Sequence, residues 1–420
     1  MIKHQLKIMW NERRQNIAIF LELLLVLLCF WGITNIFYNR ISEAVKPTGF
    51  DIAHTYRIFH NILPNTSPLY IAPESDGYRT YAASMLEVKN RLKKLPEVEA
   101  VAFSMHSTPH MGSNRITTLS SDSLHVQDWV MVRGVEPEFL DIFRIMDEQG
   151  STEAFKRTLR DNKLVISKGL NESLVPNNVN PIGLELKKSD GSIFSTVGGV
   201  AGELKQNTFD RWNTSLFELL YPTEEEFISY GDHPNLPYLE ISMRIKPSAD
   251  HAFKERFLKD IAPTLHNCNL IVSDIRSFAE MKSSFDAPYI KQMKNYASIV
   301  IFFAINVLLG VIGVFWYRTD QRKHEMGVRM ALGDRAAALL RRYIGEGLLL
   351  LLFTIPFALP LSYGISKLGF AFRWDTMTLE RFLWGFGSAY LLMMLMVILG
   401  IWIPARKAVN IPPSVVLKEE

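Results

Sequence analysis

The chain has 420 residues, 48% of them hydrophobic, and its 46 Lys and Arg nearly balance 43 Asp and Glu for a net charge of +3. A mean hydropathy of +0.06 is high for a water-soluble protein and low for one held wholly in lipid, so the composition implies spanning helices plus a large soluble part. Near-neutral charge gives no electrostatic footprint for nucleic acid, and two cysteines, Cys29 in an apolar run and Cys268 in polar sequence, exclude a disulfide scaffold.

Residues 1–16 set Ile2, Leu6, Met9 and Trp10 among Lys3, Lys7, Arg13 and Arg14, the pattern of a short amphipathic helix on the cytoplasmic leaflet. Residues 17–37, IAIFLELLLVLLCFWGITNIF, are about the 20 apolar residues needed to cross a bilayer. No small-residue cleavage site follows, so they read as a retained first span. Glu22 is its one charge and would cost about 2.5 kcal/mol or more at the bilayer centre. It stands near the cytoplasmic end, where a carboxylate can reach the interface or pair with a base.

The polar region that follows is too long for a linker and reads as folded domain. Residues 52–59 suit a strand, 78–95 show helical spacing at Tyr81, Met85, Val88, Leu92 and Leu95, and 98–104 suit a second strand. The order recurs later: strand 238–245, helix 249–265, strand 269–274. Two such units, in residues 38–106 and 236–276, suggest a ferredoxin-like split βαβ fold, α+β in class. Between them, residues 107–235 are rich in turn signals and short β-like runs such as WVMVRGV, KLVIS and SIFSTVGGVAG, a β-rich inserted subdomain. His106 and His110 flank a Ser-Thr-Pro turn signal, and the scattered histidines suggest no metal site.

Residues 277–295 are helix-compatible and polar, a stalk leading into a second span at 296–317. Asn306, Gly310 and Gly313 fall in that span and read as close helix packing. A third span, 343–366, contains Pro356 and Pro360, which predict a kink or break. Glu346 near Arg341 and Arg342 reads as a local ion pair. A short outer loop, 367–381, precedes the fourth span, 382–403, and the tail, 404–420.

Between the second and third spans, residues 318–342 carry seven Lys and Arg against three Asp and Glu, the mark of a cytoplasmic loop. The bases before the first span and after the fourth agree. Four transmembrane helices then put both termini in the cytoplasm and the polar region outside. Within the loop Met326, Val328, Met330, Ala331, Ala337, Leu339 and Leu340 alternate with charge as in a helix at the membrane surface, with Gly333-Asp334 as a break.

The run HEMGVRMALGDRAAALLRRYIGEGLLLL resembles the cytoplasmic coupling segment of MacB/FtsX-type ABC transporter permeases. That pattern is Glu, apolar, Gly, apolar, base, any residue, Ala, Leu, Gly, then a helix, and here it falls on Glu325, Met326, Gly327, Val328, Arg329, Met330, Ala331, Leu332 and Gly333. Asp334 stands where a small residue is more usual. VRGVEPEFLDIFRI and the later LVISKGLNESLVPNNVNPIGLEL and FSTVGGVAGELK resemble the family at Phe139, Phe143, Pro181, Ile182, Gly183, Val197, Gly199 and Val200, which implies a β-rich subdomain inserted in an extracytoplasmic porter domain. These glycines read as turn residues with positive φ, not ligand contacts. The tail is similar at Pro404, Arg406, Ala408, Pro413, Leu417, Lys418 and Glu420.

No G-x-x-x-x-G-K-[ST] loop, His-Glu-x-x-His motif or nucleophile elbow occurs in the sequence. The expectation is a non-catalytic permease subunit with no cofactor, ATP being bound by a partner. The resemblance implies a homo- or heterodimer in the bacterial inner membrane. Each subunit would hold a cytoplasmic ABC ATPase through Glu325, Met326, Gly327, Val328, Arg329, Ala331, Leu332 and Gly333, and a periplasmic adaptor or outer-membrane component is a further partner the family admits. ATP-driven movement would pass to the outer domain for efflux of a drug, peptide or lipoprotein-like substrate. The alternative is a membrane-anchored sensor without ATP coupling, which leaves four spans and the patterned inner loop without a use.

Overall fold

A computed structural model describes residues 13–121, 125–175, 180–210, 213–321, 328, 334–367 and 378–409. The chain divides into two compact units, one of residues 1–42 with 290–420 and one of residues 43–289.

Helices Arg13–Ala44, Phe278–Gln321, Ala336–Lys367 and Leu379–Val409 contain the four stretches long and apolar enough to cross a membrane: Ile17–Ala44, Phe278–Val314, Ala337–Ser366 and Leu379–Lys407. Each runs past its apolar core, because a helix leaving lipid keeps its backbone bonds until something else satisfies them. Residues 13–16, expected in a separate surface helix, therefore continue the first span, and residues 1–12 lie outside the described residues. Residues 318–321 and 336–342 of the expected loop are helical, as are 379–381 of the expected outer loop and 404–409 of the tail. Pro356 and Pro360 do not break the third helix. In an apolar surround the freed carbonyls gain nothing from turning outward.

Small residues let these helices approach. A Cβ on Gly347 would overlap the Ile401 side chain, one on Gly400 would lie 2.7 Å from Val311 Cγ1, and one on Gly385 would overlap the Asn35 amide. Thr34 Oγ1 donates to the Gly385 carbonyl at 2.9 Å, a hydrogen bond between the first and fourth spans. Leu27, Phe30, Trp31, Leu351, Met393, Val397 and Ile401 fill the interior. Gly310 makes room for Glu22, whose Oε1 would be 2.5 Å from a Cβ there. The packing role expected of its two companions is not found among the described residues. Gly313 would meet nothing within 4 Å, and exposed Asn306 spends its amide on the Phe302 carbonyl at 2.8 Å.

In the second unit the strands are β1 (Thr55–Ile62), β2 (Val98–Met105), β3 (Ile116–Ser120), β4 (Val126–Val135), β5 (Leu164–Ser167), β6 (Glu185–Lys188), β7 (Ile193–Ala201), β8 (Ser215–Leu219), β9 (Glu240–Ile245) and β10 (Leu270–Ser277). The order β10-β1-β9-β2, antiparallel throughout, is that of a split βαβ fold with residues inserted between its second and third strands. β1 starts at Thr55, not Ile52. Asp51 Oδ1 accepts from the Ala53 amide at 2.9 Å and Thr55 Oγ1 donates to the Ile52 carbonyl at 2.7 Å, which folds the approach into a turn. The first helix, Tyr81–Lys93, starts after its cap, Thr80, which accepts from the Ala83 amide. The helix expected over 249–265 is instead an α turn, Phe253–Arg256, a π turn, Phe257–Ile261, and a 3-10 turn, Ala262–Leu265. Pro263 has no N–H to continue the ladder.

β2 also pairs with β4 at Ser104↔Val135 and Met105↔Gly134, so the inserted strands extend the same sheet. They run β4-β3-β6-β7-β5-β8, and β8 returns to pair with β4 in parallel, Met131↔Ser215 through Val135↔Leu219. Six strands thus close into a ring without a free edge. Leu119, Val130, Val132, Leu164, Ile166, Leu186, Val197 and Leu216 form one buried cluster within it. Gly183 has the positive φ expected, +91°, but Gly199 does not; it clears space for Phe155, whose Cδ1 would be 2.9 Å from a Cβ there.

Candidate functional site

Of the residues expected to dock a partner ATPase, Val328 alone is described, as helical and 38% exposed. Glu325, Met326, Gly327, Arg329, Ala331, Leu332 and Gly333 lie outside the described residues. Their flanks are described. Leu339 and Tyr343 turn into the helix bundle while Asp334 and Arg335 stay exposed. Arg342 Nε lies 4.0 Å from Glu346, the local pair expected. Lys407 Nζ sits 4.9 Å from the ring centroid of Trp316, and Arg406 the same distance from Trp402. Cations over aromatic rings where the second and fourth spans end match a membrane interface beside a basic loop.

A second site lies in the 43–289 unit, where loops 106–111 and 203–210 meet the first turns of helix Phe278–Gln321. Phe278 packs edge-on against Phe143 with ring centroids 5.0 Å apart, and Tyr289 lies 5.3 Å from Phe209. Thr208 Oγ1 donates to Asp286 Oδ2 at 2.7 Å. Lys205, fully buried, donates to the carbonyls of Glu43 and Thr208, tying the last turn of helix Arg13–Ala44 to the same loop. Arg133 crosses beneath. Its guanidinium donates to the Ser107 carbonyl at 2.6 Å and to Gln206 Oε1 at 2.8 Å and lies 5.2 Å from the centroid of the Phe50 ring. Complete burial lowers its pKa to about 10, opposed by Glu240. Glu240 in turn accepts from Ser104 Oγ and from the Ser107 and Thr108 amides, so the loop's backbone is satisfied by buried charge.

None of Arg133, Lys205 or Asp286 was singled out by the sequence, although an Arg inside WVMVRGV is the signal that could have found the first. His110, singled out only as half of a spaced pair, is 2% exposed, and its backbone N–H donates to the Gln206 carbonyl at 2.7 Å. His106 instead pairs with Ser113 Oγ at 2.5 Å, so the two histidines do not converge. Burial, helped by Lys282, lowers the His110 pKa from 6.5 to about 4. The imidazole is neutral in the folded unit and protonates more readily once unfolded. Its contribution is present above about pH 6.5 and is lost as pH falls toward 4. Melting temperatures of the chain in nanodiscs should fall across that window, and His110→Gln should flatten the decline; an unchanged slope would show other groups responsible.

A further buried cluster joins Lys89, Glu136 and Tyr221. Lys89 Nζ donates to Glu136 Oε1 at 2.6 Å and to the Tyr221 hydroxyl at 3.0 Å, the Tyr221 hydroxyl also bonds Glu136, and Glu136 Oε2 accepts from the Phe103 amide at 2.6 Å.

Among known proteins, residues 297–413 match the family model for the FtsX-like permease C-terminal domain. The chain is 25% identical over 294 residues to the macrolide export ATP-binding/permease protein MacB of Salmonella choleraesuis, covering 69% of this chain and 44% of that protein. It is 21% identical over 403 residues to the MacB of Psychrobacter arcticus, covering 90% of this chain and 56% of that protein. The chain thus spans about half the length of these relatives. Among solved structures, the periplasmic region of MacB from Actinobacillus actinomycetemcomitans aligns with a TM-score of 0.34 at 14% identity, over 58% of this chain and 98% of that one.

Proposed function

We propose that this chain, a membrane protein with an FtsX-like permease domain and a distant relative of MacB, passes movement from a partner ATPase to its 43–289 unit. What carries the reading is the permease match over 297–413, which brackets the one long basic loop between two spans. In this reading the loop docks the ATPase through Glu325, Met326, Gly327, Val328, Arg329, Ala331, Leu332 and Gly333, glycines allowing close backbone approach and charges setting orientation. Both termini lie in the cytoplasm of a bacterial cell, the 43–289 unit lies outside the inner membrane, and two permease subunits act together. Movement travels along helix Phe278–Gln321, whose first turns are held by Phe143, Thr208 and Phe209. The cargo is a drug, peptide or lipoprotein-like molecule exported or released on the outer side.

Gly327→Trp is expected to abolish stimulation of the co-expressed ATPase while leaving membrane insertion and the melting of the 43–289 unit unchanged. Full stimulation in that variant would remove the docking assignment. Repeated failure of any ATPase to co-purify from mild detergent would favour the sensor reading instead.

A further inference from the structure

Where β2 joins β4, the 43–289 unit contains a half-enclosed cavity of about 220 Å³, whose lining includes Met105, Gly134, Leu220, Tyr221, Phe227 and Tyr230. Its inner wall is apolar and aromatic. Phe227 stands between Tyr221 and Phe103, with centroids at 4.7 and 5.3 Å, and Tyr230 closes one side at 6.1 Å. That wall is held in place, because the Tyr221 hydroxyl is committed to Lys89 and Glu136 and so offers the cavity only its ring. The space exists because position 134 is glycine. A Cβ there would point toward it, 3.2 Å from Leu220 Cδ1 and 3.9 Å from Glu218 Oε1. Polar groups stand at the mouth: Arg115 bonded to Glu218, with exposed His233 and Asn235 beside them.

An apolar interior with a few convergent polar groups at one end is the form of a ligand site. Size narrows the ligand. A dry cavity of about 150 Å³ accommodates benzene, so 220 Å³ accommodates a bicyclic ring. We propose that this cavity binds a bicyclic aromatic group of indole size whose polar attachment bonds the Arg115–Glu218 pair at the mouth. The group belongs either to a free small molecule or to a side chain of a peptide. The site requires nothing of the ATPase coupling and stands or falls separately from it.

The test uses the full chain in nanodiscs, with N-acetyl-tryptophanamide as probe, N-acetyl-alaninamide as ringless control and empty nanodiscs as blank, read by saturation-transfer NMR. The expected result is saturable binding of the indole probe with a Kd of about 0.1–1 mM, none for the control, a tenfold or greater weakening in Gly134→Leu and roughly a fivefold weakening in Tyr230→Ala. Tyr230 is 40% exposed, so the second variant reports on the wall without endangering the fold. Competition by Ala-Trp-Ala at similar affinity supports the site with a peptide as source, and its failure to compete supports the site with a small molecule. No saturable binding by the probe, or binding unaffected by both variants, overturns the proposal.

Discussion

Lys89→Met should lower the melting temperature of the 43–289 unit by on the order of 10 °C, the result of removing one partner from a buried pair. Lys89 is 1% exposed and Glu136 is 5% exposed, and neither can take up water to replace the other. Uncompensated charge of this kind costs about 3–5 kcal/mol, and about 2–4 °C accompanies each kcal/mol in a unit of this size. The double substitution Lys89→Met with Glu136→Gln should recover most of the loss. A glutamine oxygen can still accept from the Phe103 amide while its NH2 donates to the Tyr221 hydroxyl oxygen, and no charge remains buried. Thermal melts of the single and double variants in nanodiscs supply the cycle. Simple addition of the two single effects would show that Lys89 and Glu136 do not act as a pair.

The same residues show what could be read in advance. The spans were legible because lipid forces a long apolar run on any crossing helix, and the split βαβ order because Tyr81, Met85, Val88 and Leu92 repeat at helical spacing between two strand-like runs. The cores they build are local consequences of local patterns. Lys89 lies in that same helix and would pass for a solvent-facing base, since its turn toward Glu136 depends on a partner 47 residues away. Arg133 and Asp286 were hidden likewise, their partners being loop carbonyls, amides and hydroxyls that the chain brings together only on folding. Closure of the six-stranded ring depends on the parallel β4–β8 pairing, and no periodicity announces a partner strand so far along the chain. The segment proposed to dock an ATPase is the reverse case. Its motif is plain in sequence, while of its proposed contacts the structure describes Val328 alone.

Gly49→Ala should be the most damaging glycine-to-alanine substitution among the described glycines of the 43–289 unit. Gly49 has φ +82°, in the left-handed region, and a Cβ there would overlap the Glu203 carbonyl oxygen and lie 2.8 Å from Leu204 Cδ2. Strain of about 1–3 kcal/mol for the backbone adds to a comparable overpacking cost, about 3 kcal/mol or more together. Gly77 separates the two contributions, because its φ of +86° is nearly the same while nothing lies within 4 Å of its Cβ position. Gly77→Ala should therefore cost only the same backbone strain of about 1–3 kcal/mol, and the difference between the two melting shifts measures the clash. A backbone oxygen cannot rotate aside as a side chain can. Relief requires loop 203–210 to move, and that loop carries the Lys205 bond to the Glu43 carbonyl and the Thr208 bond to Asp286. If Gly49→Ala melts no lower than Gly77→Ala, the loop has yielded, and those bonds are too weak to hold the first turns of helix Phe278–Gln321 as the proposed transmission of movement requires.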